Sequence, residues 1–75
     1  MKILFVEDNQ QLVEDISKFL SDNGFVTETA LNFQQALDKL GVYGYDLVIL
    51  DLGLPDGNGL DLIPNIQENN PETAI

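Results

Sequence analysis

Apolar residues along this chain fall into two alternating kinds of pattern. Residues 3–6 (ILFV) form a continuous block bounded by Lys2 and by Glu7-Asp8. Continuous apolar character predicts a strand buried on both faces. Leu12, Val13, Ile16, Phe19 and Leu20 then recur at helical spacing and form one stripe. Asn9 is placed to cap that helix, and Asn23-Gly24 to stop it, because glycine takes the left-handed conformation without penalty. Residues 25–30 (FVTETA) are short and rich in β-branched side chains, and read as a second strand. Asn32 and Gln35 make an N-x-x-Q variant of the capping box. Behind it Phe33, Ala36, Leu37 and Leu40 give a second helical stripe, ended by Gly41. After a loop at 41–45, Asp46 opens Leu47-Val48-Ile49-Leu50, the strongest buried-strand signal in the chain, and Asp51 closes it.

Residues 52–59 (LGLPDGNG) hold three glycines and a proline and predict a turn-rich loop. Leu60, Leu62, Ile63 and Ile66 predict a third helix with Asn58 as its cap. Pro64 within that pattern lacks the amide a helix interior needs, so the helix is expected to be bent or short there. Asn69-Asn70-Pro71 ends it, and Thr73-Ala74-Ile75 reads as the beginning of a fourth strand. Strands alternating with helices at this pace imply right-handed βαβ crossovers and a parallel sheet between helical layers, an α/β fold. Ligands in such folds sit beyond the carboxyl ends of the strands.

With 75 residues the chain is at most one small domain, and a core of that size is marginal. There is no cysteine, which removes disulfides as a remedy and fits a cytoplasmic protein. Hydrophobic content of 44% argues for a packed core over disorder. No apolar run approaches the roughly 20 residues of a membrane helix, and the block at 3–6 is too short for a signal-peptide core. Three lysines face thirteen acids, a formal charge of -10. Such a surface repels a nucleic acid backbone, which argues against direct DNA or RNA binding by this segment.

Three of the acids stand out by position. Glu7 and Asp8 end the first strand, and Asp51 ends the third. If those strands are neighbours, about 4.8 Å apart, the carboxylates meet at one sheet edge. At about 5 Å and an effective dielectric near 20, two of them repel by roughly 3 kcal/mol. Either a pKa rises or a cation is held. Hard oxygen ligands beside an open loop point to Mg²⁺, and Mg²⁺ beside an aspartate points to phosphoryl chemistry, with the carboxylate as nucleophile. Taken singly, an Asp after a strand is more often a turn-former or cap, and a Glu there a solvated side chain. Asp56 and Asp61 read as turn and helix-dipole residues at the start of the third helix, and Asp15, Asp22, Asp38, Glu14 and Glu28 as solvated faces. Joint placement of Glu7, Asp8 and Asp51 is what outweighs the bland reading.

KILFVEDN at the start and DLVILDLGLPDGNGLDL in the middle, at this separation, resemble the receiver domains of two-component response regulators. The resemblance covers essentially the whole chain and implies a flavodoxin-like sheet of order 2-1-3-4-5. By position it implies Asp51 as phosphoacceptor, Asp8 as direct Mg²⁺ ligand with Asp51, Glu7 as a ligand through water, and Gly53 as a ligand through its backbone carbonyl. Leu54-Pro55 and Gly59 match the loop of the family. The implied partner is a sensor histidine kinase or phosphotransfer protein, which passes a phosphoryl group to the aspartate, with an output domain outside this chain.

A receiver has five βα units, whereas residues 1–75 hold three and the start of a fourth strand. The hydroxyl residue (Ser or Thr) ending strand four and the lysine ending strand five are not in this chain. We therefore expect a partial receiver that carries the acceptor site without the full switching apparatus. Its third strand is expected to be a bare apolar edge, prone to self-association, unless something pairs with it. A non-phosphorylated interaction module is the competing reading. An aspartyl-phosphate phosphatase would place a second acid two residues after the nucleophile, where this chain has Gly53. A stoichiometric acceptor is thus expected, not a turnover enzyme.

Overall fold

The computed structural model describes residues 1–75. β1 (Lys2–Val6) is the middle of a three-stranded parallel sheet, with β2 (Val26–Ala30) on one side and β3 (Leu47–Leu50) on the other. The order β2-β1-β3 is the one the family resemblance implies. Register runs from Ile3 opposite Leu47 to Val6 opposite Leu50, and Val6 also faces Ala30. As the middle strand, β1 has no solvated face or edge, and Ile3, Leu4, Phe5 and Val6 are all buried. β2 lies at the sheet edge and tolerates Thr27, Glu28 and Thr29.

α1 (Gln10–Asp22), α2 (Phe33–Val42) and α3 (Leu62–Asn69) form where the apolar stripes predict helices. Asn9 Oδ1 accepts from the Leu12 amide at 3.1 Å, and Gly24 beyond α1 has φ +88°. Asn32 Oδ1 accepts from the Gln35 amide at 2.8 Å, while Gln35 Oε1 reaches back to the Leu31 amide at 2.9 Å, one residue before the expected position. On one sheet face Leu4, Val6, Ala30 and Val48 pack with Ala36 and Leu40 of α2 and with Leu62 and Ile66 of α3. Ile3 and Phe5 alternate with these along β1 and point to the other face. Val13 of α1 is buried as well, outside that cluster.

Three expectations need correction. The third helical pattern divides in two: a 3-10 turn at Gly59–Asp61, capped by Asn58, and then α3 from Leu62. Pro64 thereby falls in the first turn of α3, where a missing amide costs nothing, and α3 is short, at eight residues, which is one of the two outcomes expected. The loop at 52–59 contains a hairpin, β4 (Gly53–Leu54) against β5 (Gly57–Asn58), turned by Pro55-Asp56. Finally, β3 is not wholly bare. Val48 donates to the Ala74 carbonyl at 2.8 Å and Ala74 donates to the Asp46 carbonyl at 3.0 Å, a parallel bridge of Ala74 to Leu47. The bridge begins the fourth strand read at 73–75, and it covers only the first part of β3.

In the middle of β2, Glu28 is also not the solvated residue expected. Its carboxylate lies 3.0 Å from Lys2 Nζ and 3.9 Å from Lys39 Nζ, and accepts from the Tyr45 hydroxyl at 2.9 Å. These contacts, Lys2 first, hold the Glu28 carboxyl below its ordinary value.

Candidate functional site

The parallel register of β1 and β3 brings their carboxyl ends to one edge, and backbone hydrogen bonds pin the residues just beyond them. Glu7 donates its amide to the Ala30 carbonyl at 3.0 Å, and Asp51 donates its amide to the Val6 carbonyl at 2.9 Å. Carboxylate oxygens of Glu7, Asp8 and Asp51 all lie within 4.8 Å of one another. The three acids singled out in the sequence do converge. Glu7 is only 9% exposed, Asp51 is half-buried and Asp8 is exposed.

Crowding splits their acidities. Burial pushes the Glu7 carboxyl above its ordinary 4.5, and the hydrogen bond and negative charge of Asp51 push the same way. Asp51 moves below its ordinary 3.8, held there by the hydrogen bond from Glu7 and then by the amide of Gly53. Asp51 is therefore the more acidic member of the pair, which suits a carboxylate that must attack in its ionised form.

Gly53 donates its amide to Asp51 Oδ1 at 3.2 Å. A Cβ at Gly53 would touch nothing, so no side chain is excluded there. Gly59 differs. Its amide donates to the Leu52 carbonyl at 3.0 Å, and a Cβ would overlap the Asp51 carbonyl oxygen and come within 3.0 Å of the Leu52 Cα. Gly59 thus lets the loop fold directly back on the acceptor strand.

Sequence reasoning missed Asp56. Its carboxylate accepts from the amides of Phe33 at 2.7 Å and Gln34 at 3.1 Å, so it caps α2 and not the third helix. These bonds, Phe33 first, hold its carboxyl below the ordinary value. The partner lies more than twenty residues away, and no local spacing signals it. The chain's surface depressions are elsewhere: one, about 310 Å³, is lined by Gly44, Tyr45, Asn70, Pro71, Glu72 and Thr73 at the amino ends of the strands.

The acids fit a small divalent cation. With Mg–O distances of about 2.0–2.1 Å, octahedral ligand oxygens stand about 3 Å apart on neighbouring vertices and about 4 Å apart across the ion. A spread within 4.8 Å needs only small side-chain rotations to reach that range.

Residues 3–75 match the response regulator receiver domain family. The chain is 43% identical over its whole length to the transcriptional regulatory protein PmrA of Pectobacterium parmentieri, spanning 34% of that protein. It is 39% identical to the transcriptional regulatory protein CusR of Escherichia coli, spanning 33% of it. The chain thus spans about a third of the length of these curated relatives. Among solved structures it superposes on the response regulator TrrA of Thermotoga maritima in complex with Mg²⁺-BeF, with TM-score 0.89 and 33% identity, over 96% of this chain and 63% of that one. A response regulator of Burkholderia pseudomallei with a phosphorylated aspartic acid and a calcium ion gives TM-score 0.91 at 25% identity, over 96% of this chain and 42% of that one. Sheet order, the acids at the strand ends and these matches agree: the chain belongs to the response regulator receiver domain family.

Proposed function

We propose that the chain is the phosphoacceptor module of a two-component regulator, with Asp51 as the acceptor. The observation that carries this reading is the meeting of the Glu7, Asp8 and Asp51 carboxylates within 4.8 Å at the carboxyl edge of the sheet. Asp8 and Asp51 would hold Mg²⁺ directly, together with the backbone carbonyl of Gly53, and Glu7 through water. When bound, Mg²⁺ supplies positive charge that offsets repulsion between an incoming phosphoryl group and the carboxylates.

An ionised oxygen of Asp51 attacks phosphorus in line with the leaving group. The new P–O bond makes an acyl phosphate as the bond from phosphorus to the donor breaks. With a phosphohistidine donor, the imidazole nitrogen leaves with the bonding electron pair and takes a proton from solvent. The amide of Gly53, already 3.2 Å from Asp51 Oδ1, orients the attacking carboxylate. Each chain accepts one phosphoryl group and does not turn over.

The donor is a sensor histidine kinase or a phosphotransfer protein, and the output domain lies outside residues 1–75. Relatives named as transcriptional regulators support a DNA-binding output there, while the charge of -10 argues against nucleic acid contact by this segment. A cytoplasmic location follows from such a partner, and no helix here is long and apolar enough to cross a membrane. Residues 1–75 form part of a receiver, and the switching Ser or Thr and Lys lie outside them. The uncovered carboxyl half of β3 takes a further strand, from the rest of the protein or from a second copy.

The test is incubation with Mg²⁺ and acetyl phosphate, followed by intact mass. A labile phosphate adduct in the native chain, lost in Asp51→Asn, is expected. No adduct even in a chain extended through strand five, or an adduct that persists in Asp51→Asn, would refute the assignment and favour a non-phosphorylated interaction module.

A further inference from the structure

We propose that Asp56 is a positioning residue for the metal site, latching the loop that carries Gly53 onto the amino end of α2. Glu7, Asp8, Asp51 and Gly53 are the only residues the Mg²⁺ reading above requires, and this inference rests on that reading. Gly53 opens β4, however, and β4 is half of a two-stranded hairpin. So short a hairpin does not hold its own shape in water. No residue from Leu54 to Gly57 has positive φ, so the turn is not one of the primed types that favour tight hairpins. Something outside the hairpin must fix it.

Two contacts do so at its tip. Both carboxylate oxygens of Asp56 are engaged, one by the Phe33 amide at 2.7 Å and one by the Gln34 amide at 3.1 Å. The Phe33 side chain also lies against Gly57, where a Cβ would stand 3.0 Å from its ring. At the base, Gly59 packs on the Asp51 carbonyl. The hairpin is thus held at both ends, and Gly53 lies between the two attachments. The first-turn donors of α2 are shared out accordingly: Asp56 takes Phe33 and Gln34, and Asn32 takes Gln35. A charged acceptor at a helix amino end is favoured by the helix dipole, so the latch is a directed contact. Release of the tip would let the Gly53 carbonyl wander and cost the metal a preset ligand.

The test is Mg²⁺ affinity of the full chain by NMR chemical-shift titration, in the native protein, Asp56→Ala and Asp56→Asn, with a urea midpoint for each. Asp56→Ala is expected to weaken Mg²⁺ binding about five- to tenfold. Asp56→Asn keeps an acceptor oxygen for only one of the two amides and is expected to fall between native and Asp56→Ala. A merely structural role would lower the urea midpoint of Asp56→Ala and leave Mg²⁺ affinity of the folded protein within twofold, which would overturn the proposal. If Asp56→Ala does not fold, the native protein decides: the Phe33 and Gln34 amide resonances are expected to shift with the same Mg²⁺ dependence as Gly53, and static resonances would overturn it. Absence of Mg²⁺ binding by the native protein would instead remove the metal reading on which the latch depends.

Discussion

Glu7 and Asp51 close adjacent parallel strands, where burial and then the neighbouring Asp51 carboxylate drive the acidity of Glu7 down, while Glu7 and then the Gly53 amide hold Asp51 below its ordinary value. Without a cation the fold holds a proton on Glu7 more tightly than an unfolded chain would. That preference favours folding below about pH 4.5, the ordinary value, and fades as pH rises through the raised folded value. Asp51 behaves oppositely: its contribution is present above its ordinary 3.8 and is lost as pH falls through the depressed folded value.

Glu7→Gln is therefore expected to stabilise the metal-free protein at pH 7 by about 1 kcal/mol, part of the roughly 3 kcal/mol of repulsion at about 5 Å, because the amide removes one of the two negative charges and brings a donor for Asp51. The same change is expected to weaken Mg²⁺ binding. Urea midpoints with and without Mg²⁺ check both, and a destabilised metal-free variant would contradict the charge argument.

Gly59→Ala is expected to cost about 2–3 kcal/mol, since the atoms in the way are the Asp51 and Leu52 backbone and cannot swing aside. Gly53→Ala, where a Cβ meets nothing, is expected to stay within about 0.5 kcal/mol of native. Urea denaturation of the pair separates steric from conformational use of glycine. Equal losses would contradict the close approach at Gly59.

Much of this architecture was legible in the residues because it is periodic. The apolar blocks at β1 and β3 announce strands with both faces covered, and helical spacing announces α1 and α2 with Asn9 and Asn32 as caps. The convergence of Glu7, Asp8 and Asp51 was legible only through the βαβ rule, which turns sequence position into a shared edge. Asp56 on α2, Glu28 among Lys2, Lys39 and Tyr45, and the small hairpin were not legible. Each pairs residues distant in sequence or too few to show a period. Pro64 was ambiguous because its meaning depends on which residue begins the helix, and α3 begins at Leu62, after the 3-10 turn at Gly59–Asp61.

Glu28 offers a second pH signature away from the acidic edge. Its lowered carboxyl contributes stability that is present above its ordinary 4.5 and is lost as pH falls through the depressed folded value. Its side chain is 29% exposed, and Glu28→Gln is expected to cost about 1 kcal/mol at pH 7. Denaturation profiles of the two proteins should converge in acid below the folded value. A gap that is constant with pH would show that packing, not charge, holds this cluster.

Ala74→Pro removes the donor to the Asp46 carbonyl and reopens the start of the β3 edge. It is expected to cost about 1 kcal/mol and to shift sedimentation toward dimer at high concentration. A variant that stays monomeric at every concentration would argue against association through that edge.

Phosphoacceptor chemistry at Asp51 requires the three strand-end carboxylates to act as one cation site, and Mg²⁺ titration of Asp8→Ala against the native chain tests this directly. Asp8 is exposed and no hydrogen bond of the fold relies on its side chain for capping, so loss of its carboxylate should spare the fold. A drop in Mg²⁺ affinity of at least about tenfold, with an unchanged urea midpoint, is the expected result. Undiminished affinity in Asp8→Ala would contradict the site.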